Sequence, residues 1–394
     1  MKSWYFSEQS YYPAWDLPGS PKIDTPSAPV DPEIAHRLMR DYLAECVLCD
    51  ELGINIMVNE HHAAYTCMNV SCMVTLGTLA AVTKNVRLLA LGVPLLNRMD
   101  PLRIAEEIAY VDVLSRGRLE VGLIKGSTFE LYVSNAHPVT AAQRYIEAHD
   151  LVCAALTHKE GPFSWESENF NYRYVSVIPR CYQQPLPPMW MTTLSTATAR
   201  EAARRGYVVG ITAVARAARA AYPIYREEFL KVHGKPAPLD RLAYLGYVAV
   251  ADKEEDAIER ATKILEFVNT SERIPQRFIN PPGMMTQADN ARILKAGETG
   301  THRAKTLPDG TPMSNPPTAR EQIVNSVVFA GTPDQVYEQI KRFYDSVGGF
   351  GHILMQMGGT MTHEEIKDSL TLYARHVEPR LRGLTEKTEG SIAA

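Results

Sequence analysis

An excess of positive charge is missing from this chain: 41 lysines and arginines stand against 45 aspartates and glutamates, a net charge of -4. That balance gives no electrostatic reason to bind nucleic acid or an anionic membrane surface. Long apolar runs are missing too. None reaches the roughly 18 to 20 residues that cross a bilayer, and Met1 to Phe6 leads into no signal-peptide core. A cytoplasmic protein is therefore expected. Cysteine is sparse, at six in 394 residues. Cys46 and Cys49 have redox or zinc spacing, but they share a helical face with Ile34, Leu38 and Tyr42, which points to core packing. Cys67 and Cys72 lack a matching ligand pair, so no metal site is expected. A Walker loop, a G-x-G-x-x-G turn and a serine nucleophile elbow are all absent.

What is present is an ordinary globular balance, 45% hydrophobic against 22% charged, in a chain long enough for one large α/β barrel or two to three smaller domains. Strand and helix alternate along it. Trp4 to Phe6, Ile54 to Val58, Val86 to Leu91, Arg118 to Ile124, Met189 to Thr192, Tyr207 to Ile211, Leu242 to Val250 and Phe350 to Met357 read as eight strands. Asp31-Pro32 and Asp100-Pro101 are helix starts, aspartate at N-cap and proline after it. Thr332 to Gln335 and Thr362 to Glu365 are capping boxes. Met68 to Val82 reads as a buried helix, Val139 to Leu156 as another, and Phe163 to Val177 as an excursion of short strands.

Two stretches break the alternation. Tyr11 to Pro32 is a proline-rich loop long enough to cover a site, and residues 274–317 hold seven prolines, as expected of a lid or mobile insertion. With no composition shift marking a border, residues 1–394 read as one (β/α)8 TIM-barrel domain. A doubly wound sheet is the alternative.

In such a barrel the strand C-terminal ends converge on one mouth. Glu8 and Gln9, Glu60, His61 and His62, Gly92 and Val93, Lys125 to Thr128, Thr193 to Thr196, and Gln356 to Thr360 occupy those ends. Lys125, Gly126, Ser127 and Thr128 offer one cation, a close-approach glycine and hydroxyls, which suit a phosphate. Thr193, Ser195 and Thr196 precede a helix whose free N–H groups favour an anion, although Ser195 also reads as that helix's cap. Together the two stretches point to a phosphate-bearing ligand.

Asn59-Glu60-His61-His62, Asn85 to Leu88, Pro101 to Glu107 and Asp112-Val-Leu-Ser-Arg-Gly-Arg-Leu-Glu-Val-Gly-Leu123 resemble the bacterial luciferase-like flavin monooxygenases. The likeness continues through Gln184 to Trp190, Gly331 to Gln335 and the final helix. It implies a barrel that binds reduced FMN from a separate flavin reductase, uses O2, oxidises a small-molecule substrate and forms a homodimer. By the same resemblance His61 is catalytic, with Glu60 and His62 orienting it or touching the ring edge. Gly92 and Val93 match a strand bulge, often carrying a non-proline cis peptide, beneath the flavin ring. Lys125, where the luciferases have arginine, and Ser195 match phosphate contacts, and Leu194 stands where luciferase is acidic. The family also implies two alternatives: hydride transfer from a deazaflavin without oxygen, and a flavin-binding protein without catalysis. The helix at Met68 to Val82 is the expected dimer surface.

Overall fold

The computed structural model describes residues 1–271, 273–275, 278, 287 and 306–393, without side chains for 387 and 389–393. Eight parallel strands close into a barrel: β1 (Lys2–Phe6), β2 (Asn55–Val58), β3 (Leu88–Pro94), β4 (Leu119–Ile124), β7 (Met189–Thr192), β8 (Val208–Thr212), β9 (Leu242–Val250) and β11 (His352–Gln356). β11 returns to β1, with Lys2 opposite His352 and Phe6 opposite Gln356, so no edge is left open. β3, β9 and β11 are buried along their whole length, the continuous apolar reading of strands covered on both faces. These are the eight strands expected from the sequence, and a doubly wound sheet is excluded.

The helices wrap the outside. α1 (Pro32–Leu52) starts where Asp31 accepts the Glu33 N–H and stops at Gly53, whose left-handed backbone (φ 74°) ends it. α2 (Cys72–Val82) begins at Ser71, later than expected, because Met68 to Val70 belong to the loop behind the two histidines. α3 (Leu95–Arg98) is one unforeseen turn, and α4 (Pro101–Leu114) follows its Asp100 cap. α5 (Ala141–Thr157), α6 (Thr196–Arg205), α7 (Ala215–His233) and α8 (Glu254–Ser271) continue the wrap. After them come α9 (Ala319–Val324), α10 (Pro333–Ser346) and α11 (His363–Leu372), each with a complete capping box. A π turn leads into α12 (Glu378–Ala393).

Two strands lie outside the barrel in the expected excursion: β5 (Phe163–Glu166) and β6 (Asn171–Val175) form an antiparallel hairpin. A further strand, β10 (Val328–Gly331), was not expected. It pairs with the far half of β9, from Tyr247 to Val250, beyond the part that β8 covers. Most of the expected lid at 274–317 lies outside the described residues.

The lower barrel is plugged. Trp4 meets Trp190 edge-on at 5.6 Å, and its indole N–H donates to Nδ1 of His352, whose Nε2 donates to the Asp240 carbonyl. Trp190 donates to Glu120, which pairs with Arg87. With that end filled by aromatic rings, any site must open at the other end, where the strands finish.

Candidate functional site at the barrel mouth

The segment after β2 carries the histidines and is tied from several sides. His61 N–H donates to the Asn69 carbonyl, Asn69 donates back to the Asn59 carbonyl, and Thr75 donates to the Asn69 side chain. The 11–31 loop is stapled against it. Tyr11 N–H donates to the Tyr65 carbonyl at 2.6 Å, Tyr65 N–H to the Pro21 carbonyl at 2.8 Å, and Thr25 to the Ala63 carbonyl at 2.8 Å. Backbone groups of both loops are thus satisfied by each other, and the loop expected to cover the site forms its wall. Gln9 and Ala63, next to Glu8 and His62, both take positive φ near 51°. Residues with a side chain seldom adopt that conformation, and such strain gathers at functional sites.

His61 lies between carboxylates. Its Nδ1 is 3.0 Å from Glu130 Oε1 and its Nε2 3.8 Å from Glu8 Oε2. Glu130 comes from the 3-10 turn Thr128–Leu131 after β4 and is 1% exposed. Burial works against its charge, yet His61, the His62 N–H and Lys22 hold its carboxyl below the usual range. Phe129 from the same turn stacks on His61 at 6.4 Å, and the Lys22 ammonium lies over that ring. Asn59 donates to Glu8 at 2.8 Å and so fixes the second carboxylate.

Glu60 turns the other way. Its Oε2 accepts the Cys72 N–H at the start of α2 and an Arg98 N–H at 3.0 Å, and Arg98 also reaches Glu107. His62 stands 3.3 Å from the other Glu60 oxygen, an ion pair without hydrogen-bond alignment. Burial opposes ionisation of Glu60, but His62, Arg98 and the Cys72 N–H keep its carboxyl low, while the Glu60 carboxylate raises His62. These contacts give Glu60 and His62 the job of holding the His61 loop.

The other group of candidates sits on neighbouring strands. β3 bulges between Leu91 and Val93, and the Leu91–Gly92 peptide is cis. A Cβ on Gly92 would lie 2.6 Å from the Gly122 carbonyl oxygen, so only glycine fits. In β4 and β7, Val121 pairs with Met189 and Gly122 with Trp190, and Lys125 and Thr193 each follow directly on the end of one of these two adjacent strands. Lys125 is half-buried, and burial lowers its amine, with no carboxylate opposing it among the described residues. Gly126 has φ 101° and lies against the Asn97 side chain. Ser127 makes no cap bond of its own, whereas Ser195 accepts the Thr198 N–H and caps α6. A half-buried cation and a left-handed glycine follow β4, and the first N–H groups of α6 follow the adjacent β7; an anion there would offset a Lys125 charge that has no carboxylate partner among the described residues. Gln356, the last residue of β11, is buried opposite Tyr247 of β9.

The sequence reading missed Glu130, Lys22 and Arg98. Glu130 lies two residues beyond the stretch counted as a strand end, and only the turn at Thr128–Leu131 swings it back to His61. Among the described residues no three His, Cys, Asp or Glu side chains gather as metal ligands, and no helix is long and apolar enough to cross a membrane.

Residues 30–349 match the family model of luciferase-like monooxygenases. The oxygenase component of the flavin-dependent trigonelline monooxygenase of Acinetobacter baylyi is 26% identical over 254 residues, 61% of this chain and 67% of that one. The chain spans between 45% and 67% of the length of the four curated relatives it matches. Among solved structures, monooxygenase RslO1 of Streptomyces bottropensis superposes with a TM-score of 0.72 at 20% identity, covering 97% of this chain and 100% of that one. The oxygenating constituent of 3,6-diketocamphane monooxygenase from Pseudomonas putida, a type II Baeyer-Villiger enzyme in complex with FMN, gives 0.69 at 17%, covering 96% and 98%. A coenzyme F420-dependent tetrahydromethanopterin reductase of Methanopyrus kandleri gives 0.58 at 19%, covering 86% and 94%. At these identities the structures speak for the fold alone.

Proposed function

Because the chain belongs to the luciferase-like monooxygenase family, we propose that it takes reduced FMN from a separate reductase and inserts one atom of O2 into a small organic substrate, by hydroxylation or Baeyer-Villiger chemistry. The observation that carries this is the half-buried Lys125, without a carboxylate partner among the described residues, at the end of β4 beside β7, whose own end leads into the capped start of α6. Such a cradle suits the flavin phosphate, and the residues present fit it. The FMN complex of the camphane enzyme and the relative named as an oxygenase component support the choice of flavin and of a reductase partner.

In this reading Lys125, Gly126, Ser127, Ser195 and Thr196 hold the phosphate, and the Gly92–Val93 bulge supports the ring system. Reduced flavin supplies the electrons that activate dioxygen. His61 exchanges the proton, through the ring nitrogen turned away from Glu130. Glu60 and His62, drawn to Arg98 and α2, keep its loop in place. The stapled 11–31 loop and an apolar upper barrel exclude water, which protects a reactive oxygen species from wasteful decay. Two copies would pair through the groove of α2 and α4, where Val74 and Tyr110 are 70% and 60% exposed. Diffusible reduced flavin suits a cytoplasmic setting.

The test is stopped-flow absorbance of the protein with reduced FMN, mixed with oxygenated buffer. The expected result is a return of oxidised-flavin absorbance much slower than for free flavin. Re-oxidation at the free rate would sink the oxygenase reading, and turnover with reduced deazaflavin in anaerobic buffer would replace it by hydride transfer.

A further inference from the structure

We propose that Glu130 is a positioning residue that fixes His61 in the tautomer carrying its proton on Nδ1, so that Nε2 is the atom left to exchange a proton at the mouth. The argument begins with the two groups that converge on one oxygen. Glu130 Oε1 is 3.0 Å from His61 Nδ1 and accepts the His62 backbone N–H at 2.9 Å. An oxygen that accepts a backbone N–H beside it is an acceptor and not a donor toward its other neighbour, so the hydrogen on the His61 contact belongs to Nδ1. The competing arrangement would put the proton on Nε2, toward Glu8. That contact is 3.8 Å, beyond hydrogen-bond range, and the same Glu8 oxygen already accepts from Asn59.

The surroundings make this choice rigid. Glu130 is almost wholly out of water, its own carbonyl accepts from Asn97, and the Phe129 ring fixes the plane of His61. Because His62 N–H and His61 Nδ1 meet the same oxygen, the carboxylate cannot swing away without giving up a part-buried backbone donor as well. A carboxylate that orients an imidazole in this way does not touch the reacting atoms; it determines which nitrogen can take the proton.

The catalytic consequence rests on the reading of His61 as the proton-exchanging group, whereas the tautomer is measurable without turnover. The experiment is long-range proton–nitrogen NMR of protein labelled with 15N-histidine, recorded well above the ordinary histidine range, with His61 assigned by its loss in His61→Asn. The expected spectrum has a protonated Nδ1 and an unprotonated Nε2. Glu130→Gln keeps an acceptor oxygen and should keep the pattern, Glu130→Leu should exchange the two ring nitrogens, and Glu8→Gln should change nothing. A wild-type Nε2–H tautomer, a persistent imidazolium, an unchanged Glu130→Leu spectrum or a response to Glu8→Gln would each overturn the proposal. If Glu130→Leu does not fold, the wild-type and Glu130→Gln spectra decide. Where the function is as proposed, Glu130→Leu should also lower kcat by roughly 10²- to 10⁴-fold. Failure of the oxygenase reading shows up separately, as fast flavin re-oxidation in a protein whose His61 tautomer is as stated.

Discussion

Replacing Lys125 by methionine removes one charge and little volume, and its effect can be worked from the site. The ammonium is half-buried and faces no carboxylate among the described residues, so none of them already takes up its charge. A hydrogen bond to a charged group contributes about 1.5–3 kcal/mol, which at about 1.4 kcal/mol per factor of ten is roughly a 10- to 150-fold loss in FMN affinity. Riboflavin has the same ring system and ribityl chain without the phosphate, and its affinity should hardly move. Fluorescence titration of both flavins on both proteins therefore isolates the contact. Lys125→Arg should bind FMN at least as tightly as the wild type, since guanidinium offers a two-pronged match to phosphate. The pH dependence has a definite sign. Burial lowers the free amine, and the phosphate needs it protonated, so FMN affinity is full below that lowered pKa and falls as pH rises through it, with riboflavin flat. Equal loss for both flavins would make Lys125 a structural residue, and no loss for either would remove it from the phosphate site.

Arg98→Met should destabilise the fold by about 3–5 kcal/mol, because it leaves the fully buried Glu60 without its main counter-charge; urea unfolding checks this, and a loss below about 1 kcal/mol would show that Glu60 is held by the Cys72 N–H and His62 alone. His352 should make the protein acid-labile. Burial pushes its imidazole down to about 3, below the roughly 6.5 of an unfolded chain. Its contribution is thus present above about 6.5 and is lost as pH falls toward 3, by up to about 1.4 kcal/mol per pH unit. Unfolding free energies between pH 6.5 and 5 should fall less steeply in His352→Gln, and parallel curves would refute the reasoning.

The barrel was legible because its signals are local. Asp31-Pro32, Asp100-Pro101 and the boxes at Thr332 and Thr362 act within one helical turn, and each of those helices starts where its cap stands. β10 was not, because what makes a strand of Val328–Gly331 is its pairing with the far half of β9, from Tyr247 to Val250. Composition could not reveal that partner. In the same way Glu60 reads as a mouth residue by its place after β2, yet Arg98 and the start of α2 turn its side chain outward.

Glu130 makes the same point about the site itself. It is 69 residues from His61, and no spacing rule links the two; their meeting depends on β2, β3 and β4 lying side by side and on one turn after β4. That turn begins three residues after Lys125. One short loop therefore carries the cation proposed for the flavin phosphate and the carboxylate that orients the histidine, with Phe129 between them against the ring. A ligand that draws Lys125 toward its phosphate pulls on the same backbone that aims Glu130. The physical expectation is that phosphate binding and the order of the His61 ring are coupled, and that riboflavin, which fills the ring site without the phosphate, leaves His61 less firmly held than FMN does.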